Sequence, residues 1–210
     1  VLLKAMIVHG ACWGDAYSIL RAVLQTSANQ RRFREEVARF LGYGLVQPDR
    51  LFGCEDHRAT LLGCGALEKE QAHLYSVPLP PSLAGVRVWR RLTITLAWLT
   101  PVNSRSRAYR CASLWFEPPT EELGIDRREV HSYATQRGTV QHEILEGERA
   151  TSFVDGDTLK IIVNCRAVAE PLSEPVPYAI AVSVEIAEGL QIPVYEEIRT
   201  RIRPPVYVAP

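Results

Sequence analysis

A chain of 210 residues, 47% of them apolar, is long enough to bury a sizeable core as one large or two small domains. Its 24 basic and 24 acidic residues cancel, which argues against a phosphate-tracking surface and against nucleic acid as a partner. No apolar run reaches the ~18 residues a membrane-crossing helix needs, so a soluble globular protein with no membrane partner is the expectation.

The chain opens at Val1 without the basic region and cleavage site of a secretory leader, and it reads as a piece cut from something longer. The apolar run over residues 1 to 8, broken only by Lys4, predicts a buried helix or strand ending at Gly10. In "DAYSILRAVLQ", Asp15 is a plausible N-cap, and Ile19, Leu20, Val23 and Leu24 fall on one helical face. "NQRRFREEVARFLGYG" repeats the pattern with Phe33, Val37, Phe40 and Leu41, and Gly42 stands where a helix stops on a left-handed residue. The first quarter is therefore expected to be helical.

From about residue 60 the texture changes to short segments of period two bounded by Pro and Gly. Leu92, Ile94, Leu96 and Trp98 share one face, with Thr93 and Thr95 on the other. Leu159, Ile161, Val163 and Cys165 form a second such row, and Ile180, Val182, Val184 and Ile186 a third. "AHLYSVPLP", "RCASLWFEP" and "GTVQHEILEG" bring the expected strands to at least six. With no helices between the later ones, the fold class is mainly β: an antiparallel, jelly-roll-like β-sandwich preceded by a short helical segment. Residues 117 to 136 are the most loop-like and charged stretch, while "VYEEIRTRIRPPVYVAP" reads as a last strand or a docking arm.

The five cysteines, at 12, 54, 64, 111 and 165, are odd in number and scattered, which fits reduced thiols and a cytoplasmic location. Cys111 and Cys165 lie where small apolar residues pack well, so core thiols are expected rather than nucleophiles paired with His73 or His142. Cys54, His57, Cys64 and the more distant His73 are the best metal candidates, but only one closely spaced ligand set exists. The same stretch reads more simply as a helix end and a loop. Arg87, Arg90 and Arg91 with Trp89 and Trp98 could form a basic-aromatic surface; the plainer reading puts Trp98 in the core and the arginines along an exposed sheet edge. Asp155 and Asp157 suit a turn leading into a strand.

His9 and His142 both look ready for chemistry, but a serine triad also needs a nucleophile and a carboxylate, and no nucleophile elbow accompanies either. What the sequence does carry is a resemblance. "LLKAMIVHGA" and "LGYGLVQPDRLFGC", Leu41 to Cys54, resemble the helix after the nucleophile helix and the closing turn and helix of the subtilisin-like serine proteases. "RRLTITLAWLTPVN", "DGDTLKIIVNC" and "EPVPYAIAVSV" follow in the order seen in the jelly-roll domain of many large bacterial subtilases.

The resemblance implies that residues 1–54 end a catalytic domain and that residues 55–210 form a jelly-roll domain supporting it or binding a substrate or partner. The parent would be a serine endopeptidase, while this stretch lacks the family's aspartate, histidine and Gly-Thr-Ser motifs. His9 then belongs to a helix end, and no catalytic, cofactor-binding or metal-binding residue is expected here. The basic "NSRSRAYR" stands where related domains carry an acidic element, which argues against calcium there. Expected partners are the upstream catalytic domain of the same polypeptide, a protein or peptide substrate, and a second copy of the chain. The alternative is a free-standing β-sandwich that binds or regulates another protein. Stripped of sheet partners, residues 1 to 54 are expected to pack on the β-domain, to swap between chains or to drive dimerisation.

Overall fold

The computed structural model describes residues 1–24, 30–53, 55–117, 126–128, 138–147, 158–169 and 172–202. Cys54, Asp155, Asp157 and most of the charged stretch 117–136 lie outside them. The chain runs α1 (Leu2–His9), β1 (Ala11–Cys12), α2 (Gly14–Leu24), α3 (Gln30–Leu41), β2 (Leu45–Val46) and α4 (Asp49–Phe52). Then come β3 (Arg58–Leu67), β4 (Ala72–Pro78), β5 (Arg90–Trp98), β6 (Ala112–Phe116), β7 (Asp126–Arg128), β8 (Val140–Gly147), β9 (Thr158–Ala167), β10 (Val176–Ile186) and α5 (Val194–Arg201).

The eight long-range strands form a five-stranded sheet, β3-β10-β5-β8-β7, and a three-stranded sheet, β4-β9-β6, with every pairing antiparallel. Pairing is nested: β3 with β10, β4 with β9 and β5 with β8. A hairpin folded over on itself produces this order, and it is how a jelly roll removes most of its free edges. The three rows read from period two, on β5, β9 and β10, all point into the single large core between the sheets. Gln141 joins the sheets through polar contacts: its Nε2 donates to the Phe116 carbonyl and its Oε1 accepts from the Phe116 N–H, both at 2.9 Å.

Three expectations need correcting. The stretch after Cys54 is a strand, β3, and not a helix end and loop; Gly63 and Gly65 dilute its apolar signal. Those glycines are required, because a Cβ at Gly63 would sit 2.8 Å from the Tyr75 ring and one at Gly65 2.9 Å from the Tyr178 hydroxyl. The arginines of β5 do not line an edge, since β5 is paired on both sides. Arg90 is buried and donates to the carbonyls of Leu83 and Val86, while Arg91 is ion-paired. The C-terminal segment is neither strand nor arm over the described residues: Val194 and Ile198, four apart on α5, are buried in the main core.

The described part of residues 1–54 is mainly helical as expected, apart from the short β1–β2 ladder. α3 ends at Gly42, whose φ of 57° lets its N–H reach the Ala38 carbonyl. Of its apolar residues Phe33 and Val37 are buried, but Phe40 is 82% exposed. The apolar face expected on α2 also lacks a cover: Ile19 and Val23 are both exposed.

Candidate functional site

The outer face of the five-stranded sheet is built in rows that follow from the register. The first row crosses the sheet as Arg58, Glu185, Arg91 and Glu146; the second as Thr60, Ser183, Thr93 and Ile144. The third is Leu62, Ala181, Thr95 and His142, and the fourth Cys64, Ala179, Ala97 and Val140. Polarity therefore falls from a charged end to an end of small apolar side chains. α1 lies across this face. Ala5, fully buried, packs with Ala97, Val140 and Ala179, where only small side chains let a helix approach closely. Lys4 Nζ donates to the Thr139 carbonyl at 3.1 Å and to its hydroxyl, anchoring the same end.

At the other end of α1, His9 enters the polar rows. Its Nδ1 is 2.8 Å from Thr95 Oγ1 and its Nε2 is 2.6 Å from Ser183 Oγ. Thr95 Oγ1 also meets His142 Nδ1 at 2.8 Å, and Ser183 Oγ meets Thr60 Oγ1 at 2.7 Å. Burial, reinforced by His142, Arg50 and Arg58, pushes the His9 imidazole down to about 3, so it is neutral. One ring nitrogen then donates and the other accepts, which hydroxyls can satisfy in either sense. Both nitrogens of His9 face hydroxyls and no carboxylate orients it, so the 2.6 Å contact with Ser183 lacks the third member of a triad. Ser183 is itself buried beneath α1. The structure thus brings His9 and His142 together through Thr95, as packing residues. Tyr43, from the Gly-Tyr-Gly element, meets the His142 ring edge-on at 5.7 Å.

Of the metal candidates, His57, Cys64 and His73 are described, and they do not gather into one site. His57 lies 3.2 Å from Glu55, and His73 Nδ1 is 2.6 Å from the Tyr178 hydroxyl, while Cys64 is exposed on β3. Among the described residues no group of three His, Cys, Asp or Glu side chains gathers in metal-binding geometry. Cys111 and Cys165 are buried, and burial raises the Cys165 thiol to about 11, which keeps it protonated and unreactive.

Beyond His9, the charged row carries an alternating chain of ion pairs. Arg50 Nη2 donates to Glu185 Oε2 at 3.2 Å, Arg91 Nη1 lies 3.5 Å from Glu185 Oε1, and Arg91 Nε donates to Glu146 Oε2 at 3.0 Å. Between this row, β1 and the start of α2 lies a cavity of about 320 Å³. Trp13 and Tyr17, stacked 5.8 Å apart and 11° from parallel, make one wall. Sequence reasoning missed this cavity because its residues come from four separate stretches, residues 9–17, 50, 91–93 and 144–146, which only the folded sheet brings together. Gly44, at φ 101°, passes so close to β1 that a Cβ would stand 2.1 Å from the Cys12 carbonyl oxygen.

No known protein family's profile matches the chain. It is similar to the uncharacterized protein y4bN of Sinorhizobium fredii (strain NBRC 101917 / NGR234), 22% identical over 223 residues that take in 90% of this chain and 51% of that protein. The chain thus spans about half the length of this relative. Among solved structures, a chain of the Cyanophage Pam1 capsid asymmetric unit aligns over 62% of this chain and 82% of its own, at 14% identity and a TM-score of 0.32. That likeness is too slight to carry any argument.

Proposed function

We propose that the chain is the C-terminal part of a subtilisin-like serine endopeptidase, in which residues 1–54 complete the catalytic domain and the jelly roll is the platform that holds them. One observation carries the reading: large apolar side chains stand exposed along the helical segment while the jelly roll's own core is closed. Leu3 is 70% exposed, Val23 71% and Phe40 82%, and Ile7, Ile19 and Phe52 are exposed as well. Such a run of uncovered apolar residues belongs to a contact surface. The partner that fits is the upstream catalytic part of the same polypeptide, and a relative twice as long leaves room for one. Two local features agree with the resemblance: "LLKAMIVH" is a helix, and the Gly-Tyr-Gly turn leads to the short helix α4. On this reading the chain supplies no nucleophile, base or oxyanion donor, and its role is to seat α1 through His9, Thr95, Ser183 and Ala5.

The test is fluorophosphonate labelling of this chain beside the product of the complete natural reading frame. Labelling of the longer protein alone supports the reading; labelling of the chain itself, or of neither protein, overturns it. The same exposed surface also suits a second copy of the chain in a free-standing binding module. A concentration-dependent dimer by light scattering, together with no labelling of either protein, favours that alternative.

A further inference from the structure

The cavity above the charged row is independent of the protease reading, and its chemistry is specific enough to name a ligand class. We propose that it binds a small α-amino-acid zwitterion with a flat side chain. Arg50 spends Nη2 on Glu185, and Glu146 spends Oε2 on Arg91. The other guanidinium N–H groups of Arg50 and the Oε1 of Glu146 have no partner among the described residues, and both residues line the cavity. A donor set and an acceptor of opposite charge within one cavity match a ligand that carries both a carboxylate and an ammonium. The Trp13–Tyr17 stack offers a flat side chain an aromatic surface. Thr93 and Ile144, a register pair, form the floor, and Cys12 stands at the side. The space, about 320 Å³, is at the lower end of small-molecule sites and suits one amino acid rather than a long peptide.

The half-buried ion pairs explain why the site needs a zwitterion. Arg91 is held on both sides, by Glu146 and Glu185, so the row is already balanced. An anion alone would leave Glu146 facing uncompensated negative charge, and a cation alone would do the same to Arg50. A zwitterion adds no net charge and satisfies both.

Cys12 lies at the cavity and Cys64 is exposed on the far strand β3, so one protein carries both a reporter and its control. The experiment measures iodoacetamide alkylation at each cysteine by peptide mass spectrometry while L-phenylalanine is titrated. Saturable slowing at Cys12 with no change at Cys64 is the expected result. 3-Phenylpropionate, phenethylamine and glycine, each lacking one recognition element, should need at least about tenfold higher concentrations. Arg50→Gln should erase the advantage of phenylalanine over phenethylamine, and Glu146→Gln its advantage over 3-phenylpropionate. Cys111 and Cys165 remaining unreactive shows that a variant is folded. No protection of Cys12, equal slowing of Cys64, or equal protection by all four compounds overturns the proposal on the unsubstituted chain alone.

Discussion

Over its central strands, β10 and β5, the five-stranded sheet is covered on both faces, yet by opposite means. The inner face is closed by interlocked apolar side chains such as Ile94, Leu96 and Trp98 against the second sheet. The outer face, one residue out of phase along the same strands, is closed by a helix that touches alanines at one end and hydroxyls at the other. Burial by apolar area is tolerant of detail, because any well-fitting aliphatic side chain serves. Burial through a buried polar network depends on every partner being present. The comparison separates a robust framework from a detachable layer.

The largest effect expected is Ile94→Ala, which opens a cavity at the centre of the main core; a loss of about 2–5 kcal/mol in denaturant unfolding would mark the inner face as the stability-determining one. Ala5→Leu attacks the outer face by overfilling the seat, at a cost of about 1–3 kcal/mol. Limited proteolysis should then cut within residues 1–24 while the jelly roll survives; simultaneous loss of both would break the distinction between the layers.

A third prediction uses protons. The folded-state His9 is depressed to about 3 from an ordinary 6.5, so between these values the unfolded chain binds the extra proton. Stability from this group is complete above about pH 6.5 and is lost as pH falls towards 3, with a slope of up to ~1.4 kcal/mol per pH unit. Comparing the pH dependence of unfolding in the unsubstituted chain and in His9→Leu isolates this contribution; identical slopes would mean that His9 is not buried. The smallest effect belongs to the exposed helical surface. Phe40→Ser should alter the stability of this chain by no more than about 0.5 kcal/mol, since the ring contacts little of it. A large loss would show that Phe40 is already covered, by a second copy or otherwise.

The inner face was legible in the sequence because its signal is strictly local. Leu159, Ile161, Val163 and Cys165 alternate within one strand, and so do the rows of β5 and β10, so period two was enough to find sheets and core. β3 was missed since two glycines that make room for Tyr75 and Tyr178 remove the alternation. α5 was misread because Ile198 and Ile202 invite a strand pattern, whereas the buried pair is Val194 and Ile198, spaced for a helix. The outer face was not legible at all. Thr93 and Thr95 were placed only on the face opposite Leu92 and Trp98, and nothing near them in the chain announces that His9, 86 residues before Thr95, will occupy that space. Gln141 and Glu143 were unforeseen for the same reason: polar residues on the inward face of β8 run against the alternation that defines it.

The distance along the chain between α1 and its seat also orders the events of folding. Ser183 and Ala179 belong to β10, the last strand, and His9 is 174 residues from Ser183. As a ribosome releases the chain, α1 emerges before every strand of the jelly roll, and the surface that receives it is incomplete until the jelly roll closes. A segment made before the jelly roll is thus secured only after it, and until then its apolar residues stay available to whatever else is nearby.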